Sequence, residues 1–288
     1  MKVVGPILWL CLAASAPAAQ PPDVAPPTAI DRAFARLYNF DFAGAHAILD
    51  EHQCVDPGDP LSYSVSAAAD LFAEMYRLKI LETDFFIDDS KLVEKKKLKP
   101  DPAVRAAIFK AVGEARQRAE AKLAVQPNDR DALLALCMSA GVVTDYTALV
   151  ERRQWAALQL AKQTHAYAMK LLALNPPDYD AYHNLGMMEY VMGSVTFIVR
   201  WFIRFERIEG NKQKGVQNLY LVLQYGRYYK PFAKILLSVI YLREKKPQEA
   251  EKLLVELARD FPENPLFRLE LNKVSEQVRA QAAAAQAK

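Results

Sequence analysis

Apolar residues recur at helical spacing along almost the whole chain after residue 28. In the stretch from Pro231 to Asn264, two apolar helical patterns are joined by a short polar turn, Arg243 to Pro247. Side chains three and four residues apart share one face of a helix, so each pattern predicts an amphipathic helix. A single pair of such helices cannot bury its apolar faces alone. The pattern therefore predicts helix pairs that stack on their neighbours.

Fainter copies of this 34-residue unit lie upstream, separated by breakers such as Asp56–Pro60 and Gln126–Asp129. No run alternates with a period of two between turn residues, so no strand is predicted. The helices expected from the pattern are Ala29–Tyr38, Phe42–Gln53, Leu61–Leu81, Pro102–Val125, Arg130–Tyr146, Glu151–Leu174, Asp178–Val191, Gly193–Phe205, Gly210–Gln224, two in 231–264 and Leu266–Arg279. The predicted fold class is all-α: an α-solenoid of about five antiparallel helix pairs with a C-terminal capping helix, in one domain over residues 29–284.

Small and aromatic residues occupy recurring positions in these units. Tyr182, Leu185 and Gly186 follow the opening of a repeat pattern, and Tyr241, Ala250, Leu254 and Pro262 follow its later landmarks. On these residues the chain resembles the tetratricopeptide repeat family, whose pattern is W-x2-L-G-x2-Y, then A-x3-F, then P. The repeat-ending prolines 57, 127 and 176 lie 70 and 49 residues apart, more than one 34-residue unit, so inserted or lengthened helices are expected.

The stretch Tyr38–Ala45 and the late Gly210–Gly215 look like those of exported bacterial repeat proteins of uncharacterised role. Such proteins usually act as binding scaffolds. The resemblance therefore implies an exported, non-catalytic scaffold that binds a protein or peptide partner.

In the tetratricopeptide family the first helices of the pairs line a concave face, and partner peptides usually lie in that groove. The resemblance implies a partner-binding groove that includes Asp131, Leu134, Met138, Asp180, His183, Met187 and Tyr190. Asp180 and His183 are the stronger candidates because they are polar. The alternative is that Met138, Met187 and Tyr190 fill the core.

A second candidate surface is the apolar stretch Phe197–Phe205. Arginines at spacings of four and three share one helical face, and aromatic residues cover much of the rest. One interpretation is a cationic amphipathic helix that docks on a membrane surface or a partner. The other, which the pattern favours, is an inserted helix packed on the solenoid with its arginines in water. The residues of this candidate contact are Phe197, Arg200, Trp201, Arg204, Phe205 and Arg207.

Catalytic and metal-binding motifs are missing from the sequence. The four histidines show no zinc spacing, and no nucleophile elbow, phosphate-cradling glycine loop or dinucleotide fingerprint occurs. The sequence predicts no enzyme, no metal site and no cofactor, and no small-molecule substrate is evident. The acidic and lysine-rich stretch 82–99 is interpreted as a solvated hairpin rather than an ion site. With a net charge of +3, no nucleic-acid partner is expected.

The N-terminus has the pattern of an export signal in residues 1–19. Lys2 precedes the apolar core Val3–Ala14, and small residues follow at positions 16–18. A core of about 12 residues is short of the roughly 20 that span a bilayer. Lipidation at Cys11 is rejected because Leu10 precedes it. The prediction is a periplasmic or secreted protein with a proline-rich linker at 20–28 and a frayed tail at 285–288.

Export would place Cys54 and Cys137 in an oxidising compartment, where a disulfide is an open alternative. Cys137 lies among leucines and a methionine, so the sequence favours a buried free thiol there.

Overall fold

The computed structural model describes residues 26–87, 98–194 and 210–286. Within these ranges the chain is helical and contains no strand, which confirms the all-α prediction. Several sequence predictions concern residues outside the described ranges: the signal peptide at 1–19, the linker at 20–25, residues 88–97 of the hairpin predicted at 82–99, the helix predicted over Gly193–Phe205 after Ser194, the Phe197–Arg207 contact and the last two residues of the tail.

Twelve α-helices lie in the described residues, and most of their bounds agree with the sequence pattern to within a few residues. Two short segments interrupt the series, a π-helical turn at Tyr146–Val150 and a 3-10 turn at Tyr179–Ala181. The helices are α1 (Ala29–Tyr38), α2 (Phe42–Val55), α3 (Pro60–Arg77), α4 (Thr83–Ile87), α5 (Pro102–Val125), α6 (Arg130–Asp145), α7 (Gln154–Leu174), α8 (Tyr182–Ser194), α9 (Lys212–Tyr225), α10 (Lys230–Arg243), α11 (Pro247–Asp260) and α12 (Pro265–Gln286).

Aspartates begin several of these helices. The side chains of Asp59, Asp101 and Asp129 each accept a backbone N–H of the first turn, at distances between 2.7 and 2.9 Å. Pro60 and Pro102 occupy the first helical position, where a missing N–H is harmless. The Asp-Pro pairs that break the sequence pattern are therefore also the signals that start α3 and α5.

Apart from the short α4, each helix packs against the next one along the chain. Small residues lie where helices approach closely: Gly186 of α8 faces Gly215 of α9, and a Cβ added at Gly215 would lie 2.8 Å from the Gly186 carbonyl oxygen. Ala45, Ala168 and Ala250 have no exposed surface. The small residues of the repeat pattern thus coincide with tight helix contacts.

Helix α6 and the turn after it form a long apolar segment. Together with the π-helical turn, residues Arg130–Val150 have a window of mean hydropathy 1.7, enough by length and composition to cross a membrane. Most of that window is buried inside the protein, against α3, α5 and α7. Its apolar composition is accounted for by burial in the core.

The first helix also contacts the far end of the chain. The Tyr38 hydroxyl donates to the Tyr228 carbonyl at 2.9 Å, and Asn264 Nδ2 donates to the Tyr38 carbonyl at 2.8 Å. Arg227 donates two hydrogen bonds to the Asp31 carboxylate, at 2.7 and 2.9 Å. These contacts join α1 to the loops before α10 and α12, so the two ends of the helix series meet.

Candidate functional site

A cavity of about 570 Å³ lies between the helices. Most of its wall comes from α1, α3, α6, α8, α10 and α12, which are the first helices of the successive pairs together with the C-terminal helix. Its volume falls within the roughly 300–1,000 Å³ of ligand pockets. The cavity is therefore a candidate binding site.

Aromatic and aliphatic side chains form most of the wall. Phe72 of α3 and Phe232 of α10 meet edge to face with ring centroids 5.4 Å apart. Met75, Leu236 and Phe267 extend the same surface. Burying an apolar ligand surface against such a wall contributes roughly 25 cal/mol per Å². This part of the cavity is suited to an apolar ligand.

His183 of α8 is a buried polar group in this wall. Its side chain is 6% exposed and packs between Tyr229 and Phe232, with both ring centroids 4.8 Å from its own. Its Nδ1 atom is buried without a hydrogen-bond partner. Burial lowers the pKa of His183 to about 3, so the imidazole is neutral at physiological pH.

Asp145, the last residue of α6, also lines the cavity. Within the described residues its carboxyl group has no hydrogen-bond partner. Burial raises the pKa of Asp145 to about 7, and no neighbouring charge contributes to this rise. A carboxyl group that is half protonated near neutral pH in a cavity is a candidate functional group.

Asn184 lies beside Asp145 in the wall. Its Nδ2 donates to Cys137 Sγ at 3.0 Å, and its Oδ1 would be 3.6 Å from a Cβ placed on Gly141, one turn before Asp145. His183 is its neighbour in sequence, and the Tyr229 that packs on His183 also interacts electrostatically with Asp145. Asp145, His183 and Asn184 therefore form a polar cluster at one part of a mostly apolar cavity wall.

The other charged groups of the wall already have partners. Glu270 of α12 accepts a hydrogen bond from the Thr83 hydroxyl and one from Lys273 at 3.1 Å. Arg243 donates to the Phe86 carbonyl at 2.6 Å. These contacts hold α4 against α10 and α12.

Three of the seven residues predicted to face a groove line this cavity: His183, Met187 and Tyr190. Leu134 and Met138 are 1% and 2% exposed and belong to the central core instead. The structure thus brings together the predicted residues of α8 and separates them from those near the start of α6.

The other two predicted residues lie elsewhere. Asp180 is 2% exposed, and its carboxylate accepts the backbone N–H groups of Arg227, Tyr228 and Tyr229 at 2.9–3.2 Å. It therefore holds the loop before α10. Asp131 is exposed and pairs with Arg130 at 2.7 Å.

Asp145 and Asn184 were not predicted from the sequence. Asp145 lies seven residues after Met138, hence on the same face of the helix, but Met138 itself lies in the core, so this spacing does not identify Asp145 as a cavity residue.

Cysteine and metal chemistry add nothing to the site. Cys54 is exposed and Cys137 is buried, and both are free thiols. Burial raises the pKa of Cys137 to about 12, so it is an unreactive core thiol. In the described part of the chain no three His, Cys, Asp or Glu side chains cluster as metal ligands would.

Comparison with known proteins identifies no relatives: no family model matches the chain, and neither does any curated protein.

Proposed function

We propose that the protein is a non-catalytic binding protein of the tetratricopeptide-like class, in which helix pairs form a solenoid closed around the cavity and the cavity holds an apolar guest. The observation that carries this proposal is the origin of the cavity wall. It comes mainly from the first helix of each pair, which is the face that repeat proteins use for binding.

The guest is an apolar segment of a protein or peptide partner, as the repeat resemblance implies. A cavity of about 570 Å³ admits only a few side chains of such a segment. The walls contain aromatic rings and two methionines, Met75 and Met187, which supply contact area at low entropic cost and adapt to irregular guests. The N-terminal pattern puts this encounter in the periplasm or outside the cell.

Binding accounts for the polar cluster better than catalysis does. The pKa of His183 is about 3, which makes it a weak base, and Asp145 with a pKa of about 7 is the member of the cluster in the range of a general base. In the described residues no hydroxyl or thiol is hydrogen-bonded to His183 or Asp145, so no activated nucleophile accompanies them.

Binding of the apolar fluorescent probe N-phenyl-1-naphthylamine tests the proposal. Val239 of α10 lines the cavity, and a tryptophan there would fill part of it. We expect saturable binding of one probe per chain, competition by an apolar peptide, and loss of both in Val239→Trp.

The matched control is Val255→Trp on α11, because Val255 is 48% exposed and does not line the cavity. It should bind the probe like the wild type. Absence of saturable binding to the wild type, or equal binding by both variants, would overturn the proposal.

A further inference from the structure

The polar cluster of the cavity presents hydrogen-bond acceptors. Asn184 uses its Nδ2 as a donor to Cys137, which leaves Oδ1 as an acceptor. The Asp145 carboxyl has two oxygens with no partner in the described residues, and the neutral His183 ring has an unpartnered buried Nδ1. Buried polar atoms are normally hydrogen-bonded, so the unpartnered His183 Nδ1, which lies in the same cavity wall as Asp145 and Asn184, needs an explanation.

We infer that this cluster binds an alkylammonium group, such as a lysine side chain or a free long-chain amine, whose apolar chain lies in the rest of the cavity. This inference rests on the proposed function and names its ligand class. An ammonium group carries three donors and no acceptor, which matches the acceptors of Asp145, Asn184 and His183. The aromatic faces of Tyr229 and Phe232 beside His183 add favourable surface for a cation.

An anionic ligand does not fit this wall. Its acidic groups are Asp145 and Glu270, and its arginine, Arg243, is already bonded to the Phe86 carbonyl. A neutral hydroxyl would satisfy fewer of the acceptors than an ammonium group. The expected order of affinity is therefore amine, then alcohol, then carboxylate.

Calorimetric titration at pH 8 with dodecylamine, dodecanol and dodecanoate, all below micellar concentration, tests this order. We expect the amine to bind the wild type about 10- to 100-fold more tightly than the alcohol, as a charge-assisted hydrogen bond allows. Asp145→Asn should bring the affinity for the amine close to that for the alcohol, and its far-ultraviolet circular dichroism should match that of the wild type. Asn184→Leu should also weaken amine binding, by a smaller factor than Asp145→Asn.

The two sources of the ammonium group are separated by a second titration. A blocked Leu-Lys-Leu peptide is compared with its counterpart in which norleucine replaces lysine. Preference for the lysine peptide supports a protein-borne ammonium group, and preference for dodecylamine alone supports a free amphiphile.

The outcomes also separate this inference from the proposed function. If amine, alcohol and carboxylate bind equally and Asp145→Asn changes none of them, the inference is overturned while the apolar cavity site stands. If none of the ligands binds the wild type, both fail. Val239→Trp should block all three ligands, because it fills the space that their chains share.

Discussion

Replacing Asp145 with asparagine keeps the size of the side chain and removes its charge. Burial raises the pKa of Asp145 from 3.8 to about 7. At about 1.36 kcal/mol per pH unit, the difference between these two values amounts to about 4 kcal/mol. This is the order of magnitude by which an ionised Asp145 destabilises the folded protein relative to the unfolded chain.

The sign of the pH dependence follows from the direction of the shift. Because the folded state holds the proton more tightly, the contribution of Asp145 to stability is greatest below its unfolded pKa. That contribution is lost as the pH rises from about 4 to about 7. At pH 8 we therefore expect Asp145→Asn to be more stable than the wild type by up to about 4 kcal/mol, and near pH 4 the two should differ little.

Urea unfolding at both pH values measures this difference. The other titratable groups that line the cavity are Tyr38, His183, Tyr190, Arg243 and Glu270, and among the described residues burial is the cause of the shift of Asp145. A wild type at least as stable as Asp145→Asn at pH 8 would refute the reasoning, since an unpartnered buried carboxylate must cost stability.

The matched control for this experiment is Asp131→Asn, because Asp131 is an exposed residue near the start of the same helix. A surface ion pair contributes only about 0–1 kcal/mol, so this variant should show little change at either pH.

Three further predictions concern stability and are checked by urea midpoints. Gly215→Ala should lower the free energy of unfolding by about 1–3 kcal/mol, because the new Cβ would lie 2.6 Å from the backbone nitrogen of Tyr190. Gly113→Ala should raise it by about 0.5–1 kcal/mol, because the new Cβ would have no atom within 4 Å. Equal effects of the two would contradict the close contact between α8 and α9. Asp180→Ala should lower the free energy of unfolding by about 3 kcal/mol or more, since three backbone N–H groups lose their acceptor. An unchanged free energy of unfolding would mean that water replaces the carboxylate as their acceptor. Lys245→Gly should gain about 0.5–1 kcal/mol because Lys245 has φ 58° and is exposed, and a loss there would point to an unseen side-chain contact.

The helices of the fold could be predicted from the sequence because their signals are local. Apolar spacing, Asp-Pro pairs and Gln-Pro or Asn-Pro breaks act over a few residues, and they gave bounds close to those of α3, α5 and α6. The tight contact at Gly186 was also predictable, since a glycine within an apolar helical pattern indicates close packing.

The contacts that close the helix series could not be predicted. Tyr38 and Tyr228 lie 190 residues apart, and no local pattern indicates that they meet. The same holds for Asp31 and Arg227, which look like ordinary surface charges in the sequence.

The site was only partly predictable for a similar reason. Polarity suggested that Asp180 faces a partner, but its carboxylate is satisfied by three backbone N–H groups of a loop 47 to 49 residues away. Asp145 lies near the end of the helix predicted over Arg130–Tyr146, where nothing in the sequence singles it out. Its position in a cavity depends on α8 and α10, which the sequence of α6 does not reveal.

Anomalous diffraction from crystals grown with ω-bromododecylamine would show directly whether the cavity between the first helices holds an apolar guest with its polar end at Asp145. We expect a bromine peak inside the cavity and amine density beside Asp145 and Asn184. A bromine peak confined to the outer surface of the protein, with the cavity empty, would contradict this expectation.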